Sequence, residues 1–73
     1  MIEDDLELAS VLIQYLKQFN IEVTNYEEPF LALSALKFTK YALVILDLTL
    51  PGMDGLDVCK QIVKDFDIPI IIS

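Results

Sequence analysis

The sequence predicts an α/β fold, a doubly wound parallel sheet with helices covering its faces, and three observations predict it. First, Leu43 to Leu46 form an unbroken apolar run of the kind found in strands covered on both sides, and a carboxylate, Asp47, ends it. Second, short apolar runs alternate with segments whose apolar residues recur every three or four positions, which demands parallel strands joined by right-handed helical crossovers. Third, apolar residues running straight into acids occur twice, at Met1-Ile2 before Glu3-Asp4-Asp5 and again at Asp47. In open sheets of this class the strand ends are where ligands bind.

Taken in order, Met1-Ile2 is the end of a first strand cut short. Leu6, Ala9, Leu12, Ile13, Leu16 and Phe19 then mark an amphipathic helix, with Glu7 and Gln14 outward and Asn20 able to end it in the left-handed conformation. Ile21 to Tyr26 alternates as a half-buried strand at an edge. Glu27-Glu28-Pro29 starts a second helix, with acids at the positive end of the dipole and proline in the first turn. It continues from Phe30 to Thr39, with Lys37 and Lys40 at its C-terminal end.

Tyr41 to Asp47 is the buried strand, and Pro51-Gly52 turns the chain after it. Asp54 caps a third helix whose stripe is Leu56, Cys59, Ile62, Val63 and Phe66, with Lys60 and Lys64 toward solvent. Ile68-Pro69-Ile70-Ile71-Ile72 is β-branched and opens with proline, and it reads as another buried parallel strand. The order is strand (partial), helix, strand, helix, strand, helix, strand. An isoleucine-rich edge left bare at its end implies either a piece of a longer domain or a sheet completed by another copy.

Seventy-three residues make one domain at most, and a domain of this size buries roughly 60% of its unfolded surface. Twelve acidic residues against five lysines give a net charge of -7, which repels nucleic-acid phosphates and anionic membranes. The apolar runs are too short to cross a bilayer, and a lone Cys59 with no signal-like segment fits a reducing cytoplasm. The absence of histidine removes the commonest acid-base catalyst and metal ligand, leaving carboxylates, hydroxyls and backbone.

In a doubly wound sheet the first and third strands are neighbours, so Glu3 and Asp4 converge on Asp47. Three like charges raise one another's pKa unless a cation sits among them, and an all-oxygen site suits a hard octahedral ion such as Mg²⁺. With such an ion present, Asp47 is placed to act as a nucleophile toward a phosphoryl group. The plainer reading is that Asp47 starts a turn and that Glu3, Asp4 and Asp5 cap the first helix.

The Ile-Glu-Asp-Asp opening, the strand ending in Asp47, the Leu-Pro-Gly-Met-Asp-Gly turn and the Ile-Pro-Ile-Ile-Ile strand together resemble the receiver domain of bacterial two-component response regulators. The likeness covers the whole chain and is closest to the OmpR-like transcription factors. It implies a flavodoxin-like sheet, here a partial receiver over residues 1–73 that lacks the start of the first strand and everything after the fourth. It further implies that a sensor histidine kinase donates phosphate to Asp47. Asp4 would ligate Mg²⁺ directly, Glu3 through water, and the Thr49 backbone carbonyl would complete the protein's share, with Leu50-Pro51-Gly52 shaping the loop. A homodimer of the full-length protein is implied, with DNA contacted only through an effector domain outside this chain. The family's switch hydroxyl falls five residues after the proline of the fourth strand, whereas Ser73 is four past Pro69.

Two other classes stand beside this reading. A haloacid-dehalogenase-type phosphatase also places a nucleophilic aspartate after an apolar strand, although its second acid is replaced by Thr49 here. A phosphorylation-independent interaction module would keep the fold and work through dimer contacts. Cys59 on an apolar stripe reads as an inert buried thiol, and Phe30, Leu33, Leu36 and Phe38 as packing on the sheet.

Overall fold

The computed structural model of the chain describes residues 1–49 and 54–73. Its elements are α1 (Leu6–Lys17), α2 (Pro29–Phe38), β1 (Val44–Leu46), α3 (Gly55–Asp65) and β2 (Ile70–Ile72). β1 and β2 pair in parallel, with Val44, Ile45 and Leu46 opposite Ile70, Ile71 and Ile72. Ile2 forms parallel bridges to Leu46 on one side and Tyr26 on the other. The lateral order is therefore Tyr26, Ile2, β1, β2, and the segments meeting as first and third along the chain are neighbours, as the sequence predicts.

The strands are shorter than expected. Among the described residues, the pairing of Ile21 to Tyr26 is confined to its end: Tyr26 bridges Ile2, and the Thr24 carbonyl accepts from the Met1 amino group at 2.7 Å. Tyr26 donates its N–H to the Met1 carbonyl at 2.9 Å and accepts from the Glu3 N–H at 3.1 Å. Tyr41 to Asp47 contracts to Val44–Leu46, and Ile68 to Ile72 contracts to Ile70–Ile72. The last strand is an open edge rather than a buried one, with Ile71 and Ile72 both about half exposed.

Helix ends follow their capping residues. The Asp5 carboxylate accepts from the N–H groups of Glu7 and Leu8 at the start of α1, and the Asp54 carboxylate accepts from Leu56 at the start of α3. Asn20, with φ 63°, takes the left-handed conformation just past α1. Pro29 opens α2, where its missing N–H costs nothing.

The core gathers Ile2, Ala32, Leu33, Val44, Leu46, Val58 and Ile62, with Tyr26, Leu36, Cys59, Phe66 and Ile70 packed around it. Three helical faces differ from expectation. On α3 the buried residues are Gly55, Val58 and Ile62, with Cys59 and Phe66 half-buried, while Leu56 and Val63 are exposed. The stripe is rotated because Gly55 packs against Leu48, in the turn after β1. On α2, Leu33 is buried and Leu36 half-buried, but Phe30 and Phe38 point to solvent on the far side of the turn. On α1 only Ala9 is buried, and Leu6 and Phe19 are exposed.

Gly55 explains how α3 approaches so closely. A Cβ there would lie 2.6 Å from the Leu48 Cα and 2.9 Å from its carbonyl oxygen, closer than real side chains come. Gly55→Ala is therefore expected to push Leu48 away and destabilise the fold by about 1–3 kcal/mol, which the better helix propensity of alanine does not offset. A thermal melt checks it, and an unchanged midpoint would show that the Leu48 segment yields freely.

Candidate acidic site at the strand ends

The Ile2 bridges set the site. Its N–H donates to the Ile45 carbonyl at 2.8 Å and its carbonyl accepts from the Asp47 N–H at 3.2 Å, so the residues following Ile2 and Leu46 emerge side by side. Glu3, Asp4 and Asp47 each bring a carboxylate oxygen into a group whose members all lie within 4.8 Å of one another. Glu3 is buried, Asp47 half-buried and Asp4 exposed, so the cluster grades from the core to solvent. Glu3, Leu12, Asp47 and Ser73 line a shallow depression beside it.

Thr49 holds Asp47 in one orientation. The Asp47 Oδ1 atom accepts from the Thr49 N–H at 2.9 Å and from the Thr49 hydroxyl at 2.7 Å, a turn in which the side chain takes the place of a backbone acceptor. The sequence pointed to the Thr49 carbonyl. Its hydroxyl contact was missed, although a threonine two residues after an aspartate at a strand end is a recognisable signal for it.

The two inner acids divide their charge. A hydrogen bond to Asp47, followed by burial and the charge of Asp47, pushes Glu3 up to about 7. Asp47 is held below its ordinary value by that same Glu3 hydrogen bond and then by the Thr49 N–H and hydroxyl, with burial opposing. Crowded like charges drive the two acids' pKa values apart in this way.

Glu3 is gripped from the Tyr26 side. Besides the Tyr26 carbonyl, the Asn25 side-chain amide donates to the Glu3 carbonyl at 3.1 Å, a contact the sequence reading did not anticipate. Asp5 and Asp54 do the capping work, so the plain reading holds for Asp5 and leaves Glu3 and Asp4 out of it. The Leu50-Pro51-Gly52 turn lies outside the described residues. Cys59 is half-buried against the core.

An acid cluster at the ends of adjacent parallel strands, with no nitrogen or sulfur ligand in it, narrows the candidates sharply. The response regulator receiver domain family matches over residues 1–73, the whole chain. The chain belongs to that family. Receiver domains have the flavodoxin-like fold, and the parallel sheet and three helices here agree with it. Relatives include the DNA-binding response regulator MtrA of Mycolicibacterium paratuberculosis, 35% identical over 71 residues, which are 97% of this chain and 32% of that protein. The transcriptional regulatory protein BaeR of Escherichia coli O6:H1 is 37% identical over 97% of this chain and 30% of its own length. The sensory transduction protein RegX3 of Mycolicibacterium smegmatis is 37% identical, at 97% and 31%. The chain thus spans about a third of the length of the curated relatives it matches. Receiver domains are signalling modules of two-component systems, and of these relatives one is a DNA-binding response regulator, one a transcriptional regulatory protein and one a sensory transduction protein. Among the described residues no helix is long and apolar enough to cross a membrane.

Proposed function

We propose that this receiver accepts a phosphoryl group on Asp47 from a sensor histidine kinase, in a Mg²⁺-dependent reaction, and thereby governs transcription through a DNA-binding domain outside the chain. The observation that carries the reading is the convergence of Glu3, Asp4 and Asp47 within 4.8 Å, with Asp47 fixed by Thr49. The donor set fits the ion: hard carboxylate oxygens, one side open to water through exposed Asp4, and no histidine or thiolate in the cluster. Asp4 would ligate directly, Glu3 through water, with Asp47 and the Thr49 carbonyl completing the protein's share.

When bound, Mg²⁺ supplies neutralisation of the negative charge on the phosphoryl oxygens. The remaining work belongs to the chain. Thr49 occupies Asp47 Oδ1 with two donors, which leaves Oδ2 as the oxygen that would form the new O–P bond. The bond from phosphorus to the donor's imidazole nitrogen breaks, and its electron pair leaves with that nitrogen. A bound cation would favour the charged form of Glu3, opposing the hydrogen bond to Asp47 and the burial that raise its pKa. In the cell the reading places the protein in the cytoplasm, as a homodimer of its full-length form.

The deciding experiment is intact mass after incubation with a small acyl-phosphate donor, with Mg²⁺ or with a chelator, on this chain and on the full-length protein. One phosphoryl group per chain, present only with Mg²⁺ and removed by hydroxylamine as an acyl phosphate is, supports the reading. Steady turnover of a phosphomonoester with no retained adduct would favour a phosphatase. No adduct on either protein would favour the phosphorylation-independent interaction module.

A further inference from the structure

The cation site has a support that none of its acids supplies. Parallel ladders alternate donor and acceptor in steps of two residues. Here the Tyr26 N–H donates to the Met1 carbonyl and the Glu3 N–H to the Tyr26 carbonyl. The next rung would run from the Glu28 N–H to the Glu3 carbonyl. It cannot form, because Glu28 is already the N-cap of α2 and the chain has turned away into Pro29. The Glu3 carbonyl instead accepts from the Asn25 side-chain amide at 3.1 Å.

That carbonyl belongs to the peptide unit joining Glu3 to Asp4. Its plane sets how the two side chains diverge from the backbone, and thus whether both carboxylates reach the space beside Asp47. The Asp4 N–H on the same unit donates to the Glu3 Oε2 atom at 3.1 Å, which ties the plane to the Glu3 carboxylate itself. The other end of the Asn25 amide does nothing for the fold: its Oδ1 atom is buried and has no hydrogen-bond partner among the described residues. A buried acceptor left unpaired opposes folding, so stability alone does not favour asparagine here.

We infer that Asn25 is a positioning residue for the cation site, its side-chain amide serving as the missing ladder rung that fixes the Glu3–Asp4 peptide plane. The inference rests on the proposed Mg²⁺ site and deepens it. Asn25 touches neither ion nor phosphoryl group, and acts through the acids, as outer-shell groups around metal ligands commonly do.

The test is calorimetric titration of Mg²⁺ into the wild type, Asn25→Leu and Leu36→Ala, with a thermal melt of each. Leucine keeps the shape of asparagine but removes both the donor and the orphaned acceptor. The expected result is a Kd for Mg²⁺ raised about tenfold or more in Asn25→Leu, in line with other outer-shell replacements, while its melting midpoint falls less than that of Leu36→Ala, since the orphaned acceptor goes together with the donor to the Glu3 carbonyl. Leu36→Ala, a core truncation lined up with the sheet rather than the acids, lowers the midpoint and leaves the Kd near the wild-type value. Wild-type affinity in Asn25→Leu overturns the positioning role while leaving the cation site standing. Equal losses of affinity in both variants also overturn it, because the effect then follows stability. A wild type with no response to Mg²⁺ overturns the cation site and the positioning role together.

Discussion

Asp47→Asn is expected to abolish the Mg²⁺-dependent gain of a phosphoryl group while leaving the protein folded. The amide oxygen at position 47 can still accept from the Thr49 N–H and hydroxyl, so the turn after β1 survives. What disappears is the anionic oxygen that attacks phosphorus, for which an amide is no substitute. The change also removes the negative charge nearest Glu3, so stability at pH 8 should not fall and the pKa of Glu3 should move back toward its ordinary value. Intact mass with the acyl-phosphate donor, read beside a melt, separates the two effects. Retention of an adduct on the variant would move the acceptor to another residue, with Asp4 the first to examine by peptide mapping.

The second large effect is a pH dependence whose sign is opposite to that of most carboxylates. The Glu3 pKa is raised from 4.5 to about 7 on folding, so between those values the folded chain holds a proton that the unfolded chain has released. In chelator, stability should therefore fall as pH rises through that window and level off above about 7. The loss is the linkage cost of the displaced pKa, and a domain of this size has little margin to absorb it. Asp47, held low, gives its stabilisation above its unfolded value of 3.8, and so adds no slope within the window. Glu3→Gln imitates the protonated acid at every pH. Its denaturation midpoint should stay flat where the wild type declines, and should exceed the wild type at pH 8. Mg²⁺ should restore the wild type at pH 8 and raise Glu3→Gln much less. Parallel pH profiles for the two proteins would remove the raised Glu3 pKa from the account.

The convergence of Glu3, Asp4 and Asp47 was legible because it needs only two pieces of information. Apolar runs ending in acids mark strand ends, and the connectivity of a doubly wound sheet makes the first and third strands neighbours. The caps at Asp5 and Asp54 and the left-handed Asn20 were equally open to reading, since each is decided by the chemistry of one residue. Strand lengths were not, because pairing needs a partner as well as a pattern: Ile21 to Tyr26 alternate throughout, and among the described residues only Tyr26 of them forms a bridge. The faces of α2 and α3 were misjudged for a related reason. Leu56 and Val63 fit an apolar stripe as well as Val58 does, and the choice is made by Gly55 meeting Leu48, a contact between segments that periodicity does not see. Asn25 escaped because its role depends on a backbone donor that is missing elsewhere, an absence with no mark in the local sequence.

The double pairing of Ile2 also bears on how such a chain can change in length. Ile2 is bonded on one side to Ile45 and Asp47 and bridged on the other to Tyr26. A slip of one residue in this register turns every side chain to the opposite face. One residue added or lost between Ile2 and Asp5 would thus separate the acids from Asp47 or strip α1 of its cap. The connection 18–23 is held more loosely, by the Ile21 N–H on the Leu16 carbonyl, and the pairing to the front of the chain begins only at Thr24, whose carbonyl accepts from the Met1 amino group at 2.7 Å. Insertions and deletions are accordingly expected to be tolerated best at Glu22 and Val23 and rejected between Ile2 and Asp5.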